Sequence, residues 1–228
     1  MSKDLTVVVP AYNEQDSIEK TVQQISRAVP EAAILVVDDC SKDSTLKILL
    51  GLKKQKQFKN LNIIHHHKNG NYGTALKTGF YNTKTKYVAF LDADGTYPPR
   101  YLPIFMKILQ KRNLDAIYGN RFGGKCGMPL VRQFGNKLLT IIFFIFTGRI
   151  LPDICSGERL FVTNKLLKLD PKTLPKKLDF ITGLTKRMVT RKLKFSTYPI
   201  DYPRREGQSK LNIYADFLRM SWNIVKYR

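Results

Sequence analysis

The segment Phe90-Leu91-Asp92-Ala93-Asp94-Gly95-Thr96-Tyr97-Pro98-Pro99 begins with the last two residues of an apolar run, Tyr87–Leu91. Such a run is typical of a buried β-strand, and Asp94-Gly95 is typical of the turn that ends one. Two carboxylates one residue apart can share a divalent cation, since Mg²⁺ is usually held by one or two carboxylates together with substrate phosphates. An isolated Asp-Ala-Asp is more often an ordinary acidic turn, so the rest of the chain must decide between the two interpretations.

Three more strands, with helices between them, are predicted before this segment. The strands cover Leu5–Val9, Ala33–Val37 and Leu61–His65, and the helices cover Asn13 to about Val29, Thr45–Lys54 and Gly73–Tyr81. The apolar strands have no polar alternation, which is typical of strands buried on both faces. Strands alternating with helices in this way predict an α/β domain with a mostly parallel central sheet flanked by helices.

Polar side chains follow three of these four strands. Tyr12 and Glu14 come after the first strand, Asp38 and Asp39 after the second, and the Asp92–Asp94 pair after the fourth. Ligands of such sheets bind outside the carboxyl ends of the strands. We therefore expect these residues to form one site, which favours the metal interpretation of Asp92 and Asp94.

The second half of the chain is less regular. It is predicted to contain a helix at Tyr101–Lys111, a short strand at Ala116–Gly119, a basic stretch at 122–133 without periodicity, and a helix at Phe134–Thr147, followed by a helix at Leu178–Arg191, an extended segment at Tyr198–Pro203 and a last helix at Leu211–Tyr227. There is no internal repeat and no clear boundary. We therefore expect one domain over residues 1–228.

The charge of the chain is strongly unbalanced. It has 39 Lys and Arg against 18 Asp and Glu in 228 residues, a formal net charge of +21. Such an excess favours anionic partners, namely nucleic acid, anionic lipid or phosphorylated small molecules. Because the basic residues are scattered and no nucleic-acid-binding motif is present, a nucleic acid is not the expected partner. The three widely spaced cysteines predict free thiols and favour a cytoplasmic location.

One apolar segment raises the question of a membrane. The run Leu138–Phe146 is far shorter than the roughly 20 residues of a spanning helix, so no transmembrane helix is expected. Basic residues flank it at Arg132, Lys137 and Arg149. Two interpretations stay open: a buried core helix, or an interfacial helix lying among anionic lipid headgroups.

Several motifs occur in a characteristic order. They are Val7-Val8-Val9-Pro10-Ala11-Tyr12-Asn13-Glu14, Val36-Val37-Asp38-Asp39-Cys40-Ser41-Lys42-Asp43-Ser44-Thr45, Asn69-Gly70-Asn71-Tyr72-Gly73, Leu91-Asp92-Ala93-Asp94-Gly95, Gly119-Asn120-Arg121-Phe122, Asp153-Ile154-Cys155-Ser156-Gly157-Glu158-Arg159, and the segment 204–210. Together they resemble family-2 glycosyltransferases of GT-A fold, and more narrowly the polyprenyl-phosphate (dolichol-phosphate) mannosyl- and glucosyltransferases.

The resemblance implies a GDP- or UDP-hexose donor, a polyprenyl-phosphate acceptor and Mg²⁺ or Mn²⁺ as cofactor. It also implies roles for individual residues. The residues implied to bind the nucleotide and sugar are Pro10, Tyr12, Glu14, Val37, Asp39, Asp92, Ala93, Arg204 and Lys210. Asp92 and Asp94 are implied to bind the metal, and Arg121 and Arg132 the acceptor phosphate. The implied catalytic residues are Asp94 and Arg121. Residues 1–122 would then bind the donor, and residues 123–228 would face the acceptor and the membrane.

The sequence departs from the family's pattern at two positions. Thr96 stands where dolichol-phosphate mannose synthases commonly have a Gln that is a further ligand at the metal site. This difference puts the coordination shell in question. Glu158 replaces the usual aromatic residue after Ser-Gly, which weakens any inference about the choice of sugar or lipid.

The acceptor determines what chemistry the site must supply. A lipid phosphate is already an anionic nucleophile, so it requires cations and alignment for an inverting attack rather than a general base. A glycan or other hydroxyl acceptor, the alternative, would require a carboxylate base, and none stands out after Gly183. The expected location is the cytoplasmic face of a membrane, peripherally bound, with room for a membrane-embedded partner protein. A catalytically idle membrane-binding scaffold is a further alternative.

Overall fold

A computed structural model describes residues 2–204 and 213–226, and its centre is a seven-stranded sheet. The strands are β1 (Leu5–Ala11), β2 (Ala33–Asp38), β3 (Leu61–His65), β4 (Tyr87–Phe90), β5 (Ala116–Asn120), β6 (Arg159–Val162) and β7 (Phe195–Pro199). Their order is β3-β2-β1-β4-β6-β5-β7, and only β6 runs antiparallel to its neighbours. The predicted mostly parallel sheet is therefore confirmed.

The register of the sheet aligns the carboxyl ends of the first strands. Ala11 of β1 pairs with Asp38 of β2, and Asp38 pairs in turn with His65 of β3. Every residue of β1 and β4 is buried, as expected for parallel strands covered by helices on both faces. The polar residues after β1, β2 and β4 therefore emerge at one edge of the sheet.

Eight helices surround the sheet in the described part of the chain. They are α1 (Ile18–Ala28), α2 (Thr45–Lys53), α3 (Tyr72–Tyr81), α4 (Leu102–Lys111), α5 (Leu130–Thr147), α6 (Thr163–Leu167), α7 (Phe180–Thr190) and α8 (Ile213–Lys226). Two predicted starts were wrong by several residues, because α1 begins at Ile18 instead of Asn13 and α5 at Leu130 instead of Phe134. β7 begins at Phe195, three residues before the predicted extended segment.

Two apolar clusters fill the two faces of the sheet. One contains Ile25 of α1 and Phe105 of α4, and the other contains Phe80 of α3 and Phe180 of α7. At Gly79, α3 lies directly against β1: a Cβ built there would be 2.2 Å from Cγ1 of Val8. Glycine at this position is thus required by the close approach of helix and strand.

The helix α5 is mostly exposed, although it is apolar. Only Leu139 and Phe143 are buried; they pack with Met220 and Ile224 of α8 in a third cluster. Exposed apolar side chains on α5 and α8 are Leu130, Val131, Phe134, Leu138, Ile141, Phe144, Ile145, Phe146, Tyr214, Leu218, Trp222 and Val225. The interpretation of α5 as a buried core helix was therefore wrong.

The length of α5 also differs from the sequence-based expectation. Its 18 residues, among the part of the chain that the structure describes, make it the one helix long and apolar enough to cross a membrane by length and composition. The argument that the apolar run is too short does not hold for the complete helix. Length and composition do not distinguish a spanning helix from an interfacial one, so the absence of a transmembrane helix stays a prediction.

Candidate active site

A cavity of about 520 Å³ opens at the carboxyl ends of β1, β2 and β4 and continues between α5 and α8. The structure brings most of the predicted site residues to its wall: Pro10, Tyr12, Glu14, Asp39, Asp92, Ala93, Asp94, Arg121 and Arg132. These residues come from separate motifs spread over more than a hundred positions. Of the polar residues expected to meet after the strands, Tyr12, Glu14, Asp39, Asp92 and Asp94 line the cavity. Asp38 does not: it is fully buried and its Oδ2 lies 2.6 Å from Nδ1 of His65.

Two of the predicted residues that the structure describes, Val37 and Arg204, are not at the cavity wall. Val37 is completely buried in the apolar cluster that contains Phe80, and it does not line the cavity. Arg204 is exposed and also does not line it. Lys210 lies outside the described residues. The nucleotide-binding roles of these three therefore stay predictions.

The loops after β1 and β2 are joined by hydrogen bonds. The backbone N–H of Asn13 donates to Ser41 Oγ (2.9 Å), and the N–H of Glu14 donates to Thr45 Oγ1 (2.8 Å). In return, the N–H of Lys42 donates to Asn13 Oδ1 (2.7 Å). These bonds hold residues 13–15 in a loop, which is why α1 starts later than predicted. They also set the positions of Tyr12 and Glu14 at the cavity.

Asp39 is held in place by two donors. Its Oδ1 accepts a hydrogen bond from the backbone N–H of Gly70 (2.9 Å) and lies 2.7 Å from Nδ1 of His66. The other ring nitrogen of His66 lies 2.9 Å from Thr78 Oγ1 of α3. His66 is thus a structural link between β2 and α3, which orients Asp39 toward the cavity.

The backbone is strained at three non-glycine positions near the end of the cavity that lies at the strand ends. Asn13 (φ 52°), Cys40 (φ 63°) and Asn71 (φ 72°) all have positive φ and follow β1, β2 and β3. Asparagine tolerates this left-handed region, whereas cysteine rarely adopts it. Such strain clusters at ligand-binding sites, where the surrounding structure over-determines the loop.

Asp92 and Asp94 each accept a hydrogen bond from a hydroxyl group. Tyr72 Oη at the start of α3 donates to Asp92 Oδ1 (2.7 Å), and Thr96 Oγ1 donates to Asp94 Oδ1 (2.6 Å). Burial, reinforced by the charge of Asp92, raises the pKa of Tyr72 well above its usual range, so the phenol remains a donor. Gly157 lies against Asp92; a Cβ there would be 2.7 Å from Oδ2.

The carboxylates of Asp92 and Asp94 fit a divalent cation whose remaining coordination positions are filled by oxygens of a bound ligand. Among residues 2–204 and 213–226, no group of three or more His, Cys, Asp or Glu side chains could hold a metal. Two carboxylates at the wall of an open cavity are nevertheless the usual protein share of a Mg²⁺ site in which substrate phosphates supply the other oxygens. Asp92 and Asp94 would hold such an ion.

Arg121 forms a buried, two-pronged ion pair. Its Nε and Nη2 donate to Asp153 Oδ2 (2.7 Å) and Oδ1 (2.8 Å), and its guanidinium lies over the ring of Tyr202. Burial would lower the pKa of Arg121, but the carboxylate of Asp153 outweighs burial and raises it. Neither bond uses Nη1. The side chain is therefore a rigid cation at the cavity wall, with donor capacity left for an anionic ligand.

The loop that carries Asp153 is held in place by hydrogen bonds from Arg159. This guanidinium is fully buried and donates to the carbonyl oxygens of Ser156 (2.9 Å) and Ile154 (3.0 Å). The same loop contacts both ends of the site, since Asp153 binds Arg121 and Gly157 lies against Asp92. Arg159 thus supports the part of the cavity around Asp92 and the part around Arg121 together.

The far end of the cavity is apolar and was not predicted in detail. Met128, Val131, Leu139, Phe217 and Met220 line it. Phe217 and Met220 are apolar residues at helical spacing in the predicted last helix, and this spacing was the only sequence signal for them. Between the two ends, Lys177 of the loop before α7 and Arg219 of α8 add cations to that of Arg132.

One carboxylate at this end corrects an expectation. Asp216 of α8 lines the cavity, although no candidate base stood out after Gly183 in the sequence. Its Oδ1 is bound by Nη2 of Arg219. A buried thiol is also present: burial raises the pKa of Cys155 to about 12, so this cysteine is not a nucleophile at neutral pH.

Comparison with known families identifies the class of protein. The profile described as "Glycosyl transferase family 2" matches residues 6–167, which is most of the chain. The chain therefore belongs to glycosyl transferase family 2, and the predicted family is confirmed.

Among curated relatives, three illustrate the range. The low-salt glycan biosynthesis hexosyltransferase of Haloferax volcanii is 27% identical over 230 residues, which cover 98% of this chain and 52% of that protein. The chain thus spans about half the length of this relative. The undecaprenyl-phosphate mannosyltransferase of Micrococcus luteus is 28% identical (90% and 86% covered), and the dolichyl-phosphate hexose transferase of H. volcanii is 26% identical (98% and 93% covered).

Solved structures show the same fold. Glucosyl-3-phosphoglycerate synthase of Mycobacterium tuberculosis, crystallised with Mn²⁺, UDP and glucosyl-3-phosphoglycerate, superposes with a TM-score of 0.71 at 18% identity, covering 97% of this chain and 77% of that one. Its complex with Mg²⁺ and UDP gives a TM-score of 0.69. At this identity the likeness shows the GT-A fold, and it leaves the substrates of this chain to be argued from its own site.

Proposed function

We propose that this chain transfers a hexose from a nucleoside-diphosphate sugar to a polyprenyl phosphate at a membrane surface. The observation that carries the proposal is the continuity of the cavity. It runs from the carboxylates at the strand ends, past the cations Arg121 and Arg132, to an apolar cleft between α5 and α8. A polar donor, an acceptor phosphate and the first part of a hydrocarbon chain are the ligands that match these three regions in order.

The donor occupies the end formed by β1, β2 and β4. Pro10, Tyr12 and Asp39 bind the nucleoside, and Asp92 and Asp94 hold Mg²⁺ or Mn²⁺ against the diphosphate. When bound, the cation neutralises the negative charge that grows on the departing diphosphate. The names of two relatives, an undecaprenyl-phosphate mannosyltransferase and a dolichyl-phosphate hexose transferase, support a hexose donor and a lipid phosphate acceptor.

The acceptor phosphate lies between the sugar and the apolar cleft. Arg121 and Arg132 orient it and offset its repulsion from the donor diphosphate. One of its oxygens attacks the anomeric carbon while the bond from that carbon to the diphosphate oxygen breaks, so the sugar is transferred with inversion. No proton has to be removed from the acceptor, because a phosphate monoester is already ionised at neutral pH.

The exposed side chains of α5 and α8 contact the membrane. Both helices leave large apolar residues in contact with solvent, among them Ile145, Trp222 and Leu218, and the chain carries a net charge of +21. Apolar side chains beside basic ones are typical of helices that lie in the headgroup layer of anionic lipid. The apolar cleft of the cavity opens between these two helices, which brings the acceptor chain directly from the bilayer.

The donor is tested by thermal unfolding with a panel of UDP- and GDP-hexoses, each with Mg²⁺, with Mn²⁺ and with chelator. A ligand that binds only the folded state stabilises it by about 2.7 kcal/mol at 100 times its Kd. We expect one nucleotide class to raise Tm only when a divalent cation is present. Absence of any shift would leave the catalytically idle scaffold as the better account.

The acceptor is tested with Arg121→Lys in a transfer assay to a short-chain polyprenyl phosphate. Lysine keeps the charge but loses the two-pronged geometry. We expect kcat/KM to fall roughly 100-fold. Because the variant also loses the two-pronged bond to the buried Asp153, its Tm should fall, so transfer is measured well below the Tm of both proteins. The matched control is Arg112→Lys, an exposed arginine that does not line the cavity, which should transfer like the wild type.

A hydroxyl acceptor is the second candidate, and Asp216 is the observation that favours it. A carboxylate at the cavity wall could remove a proton from a sugar hydroxyl. Asp216→Asn would then abolish transfer to a glycan acceptor. If the acceptor is a lipid phosphate, we expect the same variant to retain most of its activity.

A further inference from the structure

The carboxylates of Asp92 and Asp94 are each bonded to a hydroxyl that none of the roles above uses. Tyr72 belongs to the motif Asn69–Gly73, to which the sequence assigned no function, and its Oη lies 2.7 Å from Asp92 Oδ1. Thr96 contacts Asp94 Oδ1 twice, through Oγ1 (2.6 Å) and through its backbone N–H (3.1 Å). The two carboxylates of the motif are therefore bonded in the same way, by donors from two different elements.

Both donors are held in position by their surroundings. Tyr72 begins α3, and the next residue, Gly73, donates its N–H to the carbonyl oxygen of Lys176 (2.7 Å), which ties this end of the helix to the loop before α7. Thr96 is almost completely buried and does not line the cavity. The hydrogen bond from each donor favours one orientation of its aspartate.

We propose that Tyr72 and Thr96 are positioning residues that set the orientation of Asp92 and Asp94 for a divalent cation. When Oδ1 of a carboxylate is anchored by a fixed donor, the direction of Oδ2 is set as well. Outer donors of this kind orient metal ligands and contribute to metal affinity. The proposal rests on the proposed metal-dependent function and goes beyond it, because it assigns two residues that act through the ligands.

Thr96 differs from the residue that commonly occupies this position in the families that the sequence resembles. In the families that the sequence resembles, a longer Gln commonly occupies the position and is itself a ligand. Here the hydroxyl of Thr96 points to Asp94, and its side chain stays outside the cavity wall. Residue 96 thus acts on the cation through Asp94. Among the described residues, the protein share of the site is two carboxylates with two hydroxyl anchors, and oxygens of the nucleotide would complete the coordination of the cation.

The test measures metal binding directly. Free Mn²⁺ is titrated by electron paramagnetic resonance against the full chain, with UDP and separately with GDP, for the wild type, Tyr72→Phe and Thr96→Val. Each variant removes one hydroxyl and nearly preserves the shape of the side chain. We expect each to weaken Mn²⁺ binding by about 10- to 100-fold. Thr96→Ser retains the donor and should bind Mn²⁺ within about 3-fold of the wild type, which is small beside the effect of losing an outer donor.

The controls remove hydroxyls from the same helix without touching the carboxylates. Tyr81→Phe acts at the exposed end of α3, and Thr74→Val removes a buried hydroxyl that has no hydrogen-bond partner. Both should bind Mn²⁺ like the wild type. Tm measured without metal separates a loss of folding from a loss of the site.

The outcomes distinguish this inference from the proposed function. Equal Mn²⁺ affinity in wild type, Tyr72→Phe and Thr96→Val would overturn the inference and leave the metal-dependent function standing. Failure of the wild type itself to bind Mn²⁺ with either nucleotide would overturn the metal dependence, and this inference with it. Loss of binding in Thr96→Ser as well as Thr96→Val would show that shape, and not the hydroxyl, matters at position 96.

Discussion

Glu158 lies in the same loop as Asp153, and it is a fully buried carboxyl group. Neither of its side-chain oxygens has a hydrogen-bond partner. Burial raises its pKa well above the usual range, and the positive charge of Arg100 does not offset this. The folded protein therefore holds this proton more tightly than the unfolded chain does.

Glu158→Gln should stabilise the protein more at neutral pH than at acid pH. Above the pKa of Glu158 in the unfolded chain, near the usual glutamate value of 4.5, the unfolded chain releases a proton that the folded chain keeps. The stability of the wild type therefore falls by about 1.4 kcal/mol per pH unit until the raised folded pKa is reached. Glutamine has no such loss. Thermal unfolding of both proteins at several pH values from 4 to 7 checks this; a Tm difference that is independent of pH would contradict it.

At the level of elements, α5 is the helix whose environment differs most from its sequence. Its apolar residues occur on most of its circumference, yet only one narrow face packs against α8 and α7. A helix that is apolar all round is normally buried in protein or in lipid. Since protein covers little of α5, lipid is the environment that its sequence fits.

The double variant Ile141→Gln and Ile145→Gln should weaken vesicle binding. These side chains are 55% and 69% exposed, so the change removes apolar contact with lipid while little packing is lost. We expect binding to vesicles of anionic phospholipid, measured by sedimentation, to fall at least roughly 10-fold, because burying each side chain contributes about 1.5–3 kcal/mol. Leu50→Gln, at 49% exposure on α2, is the control and should bind normally. Unchanged binding of the double variant would place the lipid contact elsewhere.

The whole molecule combines a large positive charge with a cavity that connects two kinds of surface. The strand ends supply the polar surface, and α5 and α8 supply the apolar one. Because β6 and β7 come from the second half of the chain and lie in the same sheet as β1 to β4, both halves contribute to a single scaffold. The regions proposed for the donor and the acceptor are thereby held at a defined distance, which alignment for direct transfer would require.

Vesicle binding of the intact chain should depend strongly on ionic strength. The Debye length falls from about 30 Å at 0.01 M salt to about 8 Å at 0.15 M, so attraction between a chain of charge +21 and anionic lipid is screened. We expect a loss of roughly 10-fold or more over this range, with residual binding from apolar contacts. Vesicles of neutral lipid should show weak binding that salt does not change. Equally strong binding to neutral vesicles would contradict the electrostatic part of the account.

Much of the fold could be predicted from local sequence. The first strand was predicted at Leu5–Val9 and extends over Leu5–Ala11, and the acidic turn after Phe90 was also identified. Both signals, a continuous β-branched run and an Asp-Gly turn, depend on only a few neighbouring residues. Errors occurred where distant contacts decide. α1 starts at Ile18 because hydrogen bonds from Asn13 and Glu14 to the loop after β2 replace the first helical turn.

The candidate site divides in the same way. Asp92, Asp94 and Arg121 were identifiable from their motifs, since the spacing of residues along the chain is visible in a sequence. Their hydrogen-bond partners Tyr72 and Asp153 were not assigned these roles, because a hydrogen bond over 20 or 32 positions depends on how strands and loops meet in space. Thr96 is only two residues from Asp94, but the sequence does not show that its hydroxyl points to that carboxylate. The same holds for the cleft between α5 and α8. An apolar pattern shows that a helix has a face to cover, and only packing shows which part of that face the protein leaves uncovered.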